Sequence, residues 1–98
     1  MRPIEIILCD DHPLIAEGLL SFMEQQPLMR IKATAASATE LMEVLETVSA
    51  DILLLDINLP DGSGLDLCLT IKKKYPDMRI LALSNLNQLR GWLLRCSK

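Results

Sequence analysis

Several features that mark common protein classes are scarce in this sequence of 98 residues. Its central apolar run, Ile52–Leu55, is far shorter than the ~20 residues that a membrane-spanning helix needs. The net charge is −3, whereas an autonomous nucleic-acid-binding domain usually carries a basic face. His12 is the one histidine, so we expect neither a Ser-His-Asp system nor a histidine-based zinc site, and we expect His12 to be solvated beside a helix cap.

Cysteine is also scarce, and its number is odd: three residues. Cys9 and Cys68 fall at apolar positions, which is typical of reduced thiols in a cytosolic core and not of a disulfide framework. The N-terminus shows no signal-peptide pattern, because Glu5 interrupts its short apolar run. These observations predict a cytoplasmic protein.

What the sequence does contain is a regular alternation of strand and helix patterns. The predicted order is strand 2–9, a helix from Pro13, strand 30–35, a helix behind a capping box at Ser37–Glu40, strand 51–56, a turn-rich loop 57–64, a third helix and strand 79–84. Strands that alternate with helices favour a mostly parallel sheet covered on both faces. No internal repeat or linker divides the chain, so we predict one domain over residues 1–98.

Polar side chains follow three of these strands. Asp10 and Asp11 come after the first strand, and Asp56 and Ser84 end the third and fourth. Parallel α/β sheets bind ligands at the carboxyl ends of their strands, so we expect these side chains to meet at one edge. Clustered carboxylates need a compensating cation, and ligands that are all oxygen suit Mg²⁺. The chemistry predicted here is phosphoryl transfer, with Asp56 as the nucleophile.

These residues together resemble the receiver domain of bacterial two-component response regulators. The resemblance rests on Asp10-Asp11, on the segment Asp51–Pro60 with Asp56 at its strand end, on Gly64 and on Leu-Ala-Leu-Ser84. The run Asp10-Asp11-His12-Pro13-Leu14 looks like the NarL/FixJ (LuxR-type) subfamily in particular. The match is strong over residues 1–84.

The resemblance implies a role for each residue of the predicted site. Asp56 is the phosphoacceptor, and Ser84 is the switch hydroxyl. Mg²⁺ is held by Asp10, Asp11, Asp56 and the backbone carbonyl of Asn58. The phosphodonor is a sensor histidine kinase, and the chain is not an enzyme beyond its own aspartyl phosphorylation and dephosphorylation. The implied fold is flavodoxin-like (CheY-like), a doubly wound α/β sheet of strand order 2-1-3-4-(5).

The resemblance weakens over residues 85–98, where the fourth and fifth helices of the family are missing or unaccounted for. Residues 91–95 resemble the fifth strand, with Trp92 at the aromatic switch position and Arg95 as a substitute for the expected Lys. However, a parallel crossover needs about a dozen residues, and only 85–90 separate the two strands. Three interpretations stay open: a helix is absent from the sequence, the protein is truncated or engineered, or residues 86–96 form a terminal helix.

Two alternatives to a phosphorylated receiver stay open, and the altered end favours the first of them. The chain could be a pseudo-receiver, a phosphorylation-independent interaction or dimerisation module, or it could be a small phosphatase-like enzyme that uses Asp56. Uncovered apolar faces of the sheet predict a homodimer. In the full-length protein, the resemblance implies that DNA is bound only through a C-terminal helix-turn-helix domain absent from this chain, through which the receiver controls transcription.

Overall fold

The structure, a computed structural model, describes residues 2–83 and 93–95. Its elements in chain order are β1 (Ile4–Cys9), α1 (Pro13–Glu24), β2 (Met29–Ala35), α2 (Ala38–Thr47), β3 (Ile52–Asp56), β4 (Asn58–Leu59), β5 (Gly62–Ser63), α3 (Gly64–Lys74), β6 (Arg79–Leu83) and β7 (Leu93–Arg95). The predicted strands and helices are therefore present, and the predicted loop 57–64 contains the short antiparallel pair β4–β5.

The main sheet has five strands in the order β2-β1-β3-β6-β7, which confirms the predicted order 2-1-3-4-(5). The first four strands pair in parallel, but β7 pairs antiparallel with β6. The short connection between β6 and β7, residues 84–92, explains this direction. A parallel strand would need a longer crossover, whereas an antiparallel neighbour can return through a short connection.

The two faces of the sheet are covered by different helices. On one face, Ile7, Leu53 and Leu55 are fully buried under α2 and α3, whose Leu41 and Ile71 are also fully buried. A smaller cluster on the opposite face is built on Ile6, Leu8 and Leu54, with Leu19 and Met23 of α1 packed against it. This alternation along the strands follows from the two-residue side-chain period of a strand, and it makes the sheet doubly wound.

Helices α1 and α2 begin with different caps. Ser37 caps α2, since its side-chain oxygen accepts from the backbone N–H of Glu40 at 3.1 Å. Glu40 Oε1 in turn accepts from the backbone N–H of Ala36, the residue before the cap, at 2.6 Å. The predicted capping box is therefore present in a shifted form, since its return bond reaches Ala36 and not Ser37. His12 is the N-cap residue of α1 but makes no side-chain cap hydrogen bond, and Pro13 occupies the first helical position.

The antiparallel β7 decides part of what the sequence left open at its end. A terminal helix over 86–96 is wrong, because Leu93–Arg95 is a strand. Arg95 pairs with Leu81, and Leu93 pairs with Leu83 at the end of β6. The backbone of Arg95 is thus two residues back from the carboxyl edge, so its predicted role as a substitute for Lys gains no support. Trp92 lies outside the described residues.

The helical spacing of apolar residues in the sequence predicts that Phe22, Leu65 and Leu69 face the core, but the structure exposes all three. Phe22 of α1 is 56% exposed, and Leu65 and Leu69 of α3 are 48% and 58% exposed. Among the described helices, none is long and apolar enough to cross a membrane. Cys9 is a buried free thiol, as predicted, and Cys68 is also buried.

Candidate functional site

The register of the central strands places Asp10 beside Asp56. Cys9, the last residue of β1, pairs with Leu55 of β3, so the next residue of each strand is Asp10 or Asp56. The backbone N–H of Asp10 donates to the carbonyl of Ala35 at 2.9 Å. This bond fixes the point at which the chain leaves the sheet, and it directs Asp10 and the following residues onto the carboxyl edge.

Four side chains meet at this edge, namely Asp10, Asp11, His12 and Asp56. One ligand atom from each of them lies within 4.8 Å of the other three. Asp10 is 8% exposed and Asp56 is 4% exposed, so two of the three carboxylates are buried, while the Asp11 side chain is 32% exposed. The predicted convergence of Asp10, Asp11 and Asp56 is therefore present in the fold.

The imidazole of His12 lies against all three carboxylates. Its Nδ1 is 2.8 Å from Asp10 Oδ1, 3.2 Å from Asp11 Oδ1 and 3.5 Å from Asp56 Oδ2. The backbone N–H of His12 also donates to Asp10 Oδ1 at 2.8 Å. The hydrogen bond to Asp10 raises the pKa of His12 above its usual value, and the charges of the three carboxylates act in the same direction.

The buried end of β1 is affected by the same charges. Burial, followed by the negative charges of Asp56 and Asp10, raises the pKa of the Cys9 thiol to about 12. A thiolate is therefore strongly disfavoured next to this cluster. The electrostatics of the edge favour cations and disfavour further negative charge.

The donor set fits a divalent cation. Three carboxylates within one short span repel one another unless positive charge is placed between them. Carboxylate oxygens are ligands that Mg²⁺ accepts, usually one or two of them together with several waters. Asp10, Asp11 and Asp56 could hold such an ion without rearrangement of the strands that carry them.

The loop after Asp56 returns tightly to the site. Its short pair β4–β5 joins Asn58 to Ser63 and Leu59 to Gly62, and the backbone N–H of Gly64 donates to the carbonyl of Ile57 at 3.1 Å. A Cβ at Gly64 would collide with the Cα of Ile57 and would lie 2.8 Å from the carbonyl oxygen of Asp56. Only glycine allows this approach.

Asp61 fastens the same loop to the start of α2. Its carboxylate accepts from the backbone N–H groups of Ala38 at 2.8 Å and Thr39 at 3.0 Å, and from the Thr39 hydroxyl at 2.8 Å. These hydrogen bonds, led by that from Ala38, lower the pKa of Asp61. A helix N-terminus favours a carboxylate, so Asp61 joins the loop beside Asp56 to the neighbouring helix.

The remaining predicted site residues stay predictions. Asn58 is in β4, within two residues of Asp56, so its backbone is close to the cluster in sequence. Ser84 lies outside the described residues, directly after Leu83, which pairs with Asp56. Sequence reasoning missed His12 and Asp61. The Asp-Asp-His-Pro order carried a signal for His12, since a proline at N1 fixes the preceding residue close to both acids.

Comparison with known proteins identifies the family. The family model for the response regulator receiver domain matches residues 6–91. The chain is 32% identical over 82 residues to the DNA-binding transcriptional activator DevR/DosR of Mycobacterium tuberculosis, covering 84% of this chain and 38% of that protein. It is 33% identical over 81 residues to a nitrate/nitrite response regulator protein homolog of Haemophilus influenzae, covering 83% of this chain and 39% of that protein.

Solved structures agree with these relatives. The isolated REC domain of RcsB from Salmonella enterica serovar Typhimurium superimposes with a TM-score of 0.81 at 27% identity, covering 89% of this chain and 65% of that one. A LuxR-family response regulator from Aurantimonas superimposes with a TM-score of 0.76 at 30% identity, covering 84% of this chain and 59% of that one. The chain spans about two fifths of the length of the two relatives named above. It belongs to the response regulator receiver domain family, and its relatives are response regulators of the NarL/LuxR type.

Proposed function

We propose that this chain is the phosphoacceptor domain of a two-component response regulator, and that it takes a phosphoryl group onto Asp56 in the presence of Mg²⁺. The observation that carries the proposal is the position of Asp56 at the end of β3, among Asp10, Asp11 and His12. A nucleophilic carboxylate beside a cation-binding pair of acids is the arrangement that forms an aspartyl phosphate.

The transfer is a simple displacement. A carboxylate oxygen of Asp56 forms a bond to phosphorus while the P–N bond of a phosphohistidine donor breaks. The electron pair of the P–N bond stays on the donor imidazole. Bound Mg²⁺ supplies positive charge that compensates the oxygens of the transferring group. Asp10, Asp11, Asp56 and the backbone carbonyl of Asn58 would hold that ion, and the burial of Asp10 and Asp56 keeps their carboxylates oriented.

The added charge then acts as the signal. A phosphorylated Asp56 carries strong acceptor oxygens, which order a nearby segment through new hydrogen bonds. Ser84 directly follows Leu83, which pairs with Asp56 in the sheet. Its hydroxyl is therefore the one best placed in sequence to form a hydrogen bond to the phosphorylated Asp56. The partner implied is a sensor histidine kinase, and the receiver itself would act in the bacterial cytoplasm. Apart from its own phosphorylation and dephosphorylation, the chain catalyses no reaction.

The output belongs to the longer protein. DevR/DosR is a DNA-binding transcriptional activator, and this chain covers 38% of it. We infer that a helix-turn-helix domain joined to the receiver would bind DNA, and that phosphorylation of Asp56 would control transcription through it. The acidic chain described here would itself contact the kinase or a second copy, and not DNA.

The test is an intact mass measurement before and after incubation with acetyl phosphate and Mg²⁺. We expect the mass to increase by one phosphoryl group in the wild type and in Asp77→Asn, a matched change of an exposed aspartate. Asp56→Asn should show no increase, because the amide cannot form the acyl phosphate. Removal of Mg²⁺ with a chelator should abolish labelling of the wild type.

One observation favours a second candidate, the pseudo-receiver. The antiparallel β7 departs from the parallel fifth strand that the family resemblance implies, and the coupling between Asp56 and the far edge of the sheet depends on that region. If neither acetyl phosphate nor a phosphorylated kinase labels Asp56 while the chain remains folded, the phosphoacceptor proposal is wrong and an interaction module is favoured. Turnover of an added phosphoester would instead indicate a phosphatase.

A further inference from the structure

The histidine of the site has a side-chain position that helix capping does not explain. His12 is the N-cap residue of α1, yet its side chain makes no capping hydrogen bond. The imidazole turns toward the acidic cluster, where Nδ1 lies 2.8, 3.2 and 3.5 Å from one oxygen each of Asp10, Asp11 and Asp56. Among the ion pairs of the described residues, no other side chain contacts all three carboxylates.

These distances also fit neighbouring ligands of one metal ion, which would replace the hydrogen bond between His12 Nδ1 and Asp10 Oδ1 once that nitrogen has lost its proton. Ligand atoms bonded at about 2.1 Å to a common ion are about 3 Å apart when adjacent and about 4.2 Å apart when opposite. The four ligand atoms here lie within 4.8 Å of one another, so a small adjustment brings them around one ion. The His12 side chain is 57% exposed and can make that adjustment.

The backbone keeps His12 in this position. Its N–H donates to Asp10 Oδ1 at 2.8 Å. The ring Cδ of Pro13, at the first turn of α1, sterically restricts the residue before it to extended conformations. Its own angles, φ −99° and ψ 105°, are of that kind. The ring is therefore held near the cluster by the same turn that places Asp10 and Asp11.

We propose that His12 is a nitrogen ligand of the metal site, through Nδ1, and that it makes the site favour borderline divalent ions such as Ni²⁺ and Co²⁺ over Mg²⁺. Imidazole suits transition ions, whereas Mg²⁺ prefers oxygen and retains its waters. This inference rests on the proposed function in one respect, namely that Asp10, Asp11 and Asp56 hold a divalent ion.

The first test is calorimetric titration of the untagged chain with Ni²⁺ and, separately, with Mg²⁺. In His12→Phe and in His12→Ala, we expect the preference for Ni²⁺ over Mg²⁺, taken as the ratio of the two Kd values, to fall about tenfold or more. Two variants are used so that one which fails to fold does not decide the result. Asp11→Asn should weaken the binding of both ions.

The second test reads the ligand directly. Pulsed electron paramagnetic resonance of the Mn²⁺-loaded wild type should show coupling to an imidazole nitrogen, and both His12 variants should lack it. His12 is the one histidine of the chain, so the signal can have no other source within it.

The outcomes separate the two proposals. If Asp11→Asn loses Mg²⁺ but the His12 variants keep the wild-type ratio and the nitrogen coupling is absent, the nitrogen ligand is refuted and the Mg²⁺ site stands. If the wild type binds neither ion, or Asp11→Asn binds both as the wild type does, the metal site of the proposed function is refuted together with the inference.

Discussion

Gly64→Ala should destabilise the protein through the loop that follows Asp56. The added Cβ would collide with the Cα of Ile57 and would lie 2.8 Å from the Asp56 carbonyl oxygen and 2.9 Å from the Ile57 carbonyl carbon. All three atoms are backbone, so no side chain can rotate away. Overpacking in a rigid site costs about 1–3 kcal/mol, and we expect at least about 2 kcal/mol here because the backbone itself must move.

The assay is urea unfolding followed by circular dichroism, with Gly18→Ala as the matched control. Gly18 lies within α1, and a Cβ there would meet nothing within 4 Å. Alanine in a helix interior is favoured over glycine by about 1 kcal/mol, so this control should gain stability. In thermal unfolding, Gly64→Ala should lower Tm by about 8 °C or more, given 4–8 °C per kcal/mol in a domain of this size.

The displaced loop should also affect the site. Because Asp56 and Ile57 must shift, labelling of Asp56 by acetyl phosphate should slow in Gly64→Ala and remain at the wild-type rate in Gly18→Ala. Equal stability of Gly64→Ala and the wild type would refute the reasoning, since it would mean that the turn between β3 and α3 does not need glycine.

Three further predictions concern the core, the loop and the thiol. Leu53→Ala should lower the free energy of unfolding by about 2–5 kcal/mol, because Leu53 is fully buried. Leu69→Ala, at a 58% exposed position, should change it by less than about 0.5 kcal/mol. Comparable losses for the two variants in urea unfolding would contradict the packing described. The lowered pKa of Asp61 means that its contribution to stability is complete above its unfolded pKa, about 3.8, and is lost as the pH falls through the lower folded value. Asp61→Asn should therefore be less stable than the wild type near pH 7, with the difference shrinking in acid, and a pH-independent difference would argue against the carboxylate. The Cys9 thiol, with a pKa of about 12, should resist alkylation by iodoacetamide at pH 8 in the folded protein and should react in urea. Peptide mass spectrometry would follow the labelling, and rapid labelling of the native chain would show that the end of β1 is open to solvent.

Local sequence signals predicted the elements of the fold well. Ser37 caps α2 through the backbone N–H of Glu40 as predicted, and Pro13 begins α1. The uninterrupted apolar run of β3 predicted a central strand buried on both faces, and Leu53–Leu55 are buried there. These predictions depend on neighbours within a few residues, which is why the sequence alone sufficed.

Predictions that needed more distant information fared less well. The helical pattern placed Phe22 and Leu69 on buried faces, but both are more than half exposed. Periodicity identifies which residues share a face of a helix, yet only the packing of neighbouring elements decides how much of that face is covered. The direction of β7 was missed as well, because the short connection argued against a parallel crossover without identifying the strand beside which β7 would lie.

The sequence by itself determined the strand and helix order, the parallel pairing of four strands and the acids at their carboxyl ends, because hydrophobic periodicity and capping are encoded locally. The tertiary structure alone decided two features of the site. It placed the His12 imidazole against all three carboxylates, and it joined Asp61 to the start of α2 across 23 residues of sequence. The contact of His12 with Asp56 and that of Asp61 with α2 join residues that are far apart in the chain, so no local pattern could have predicted them.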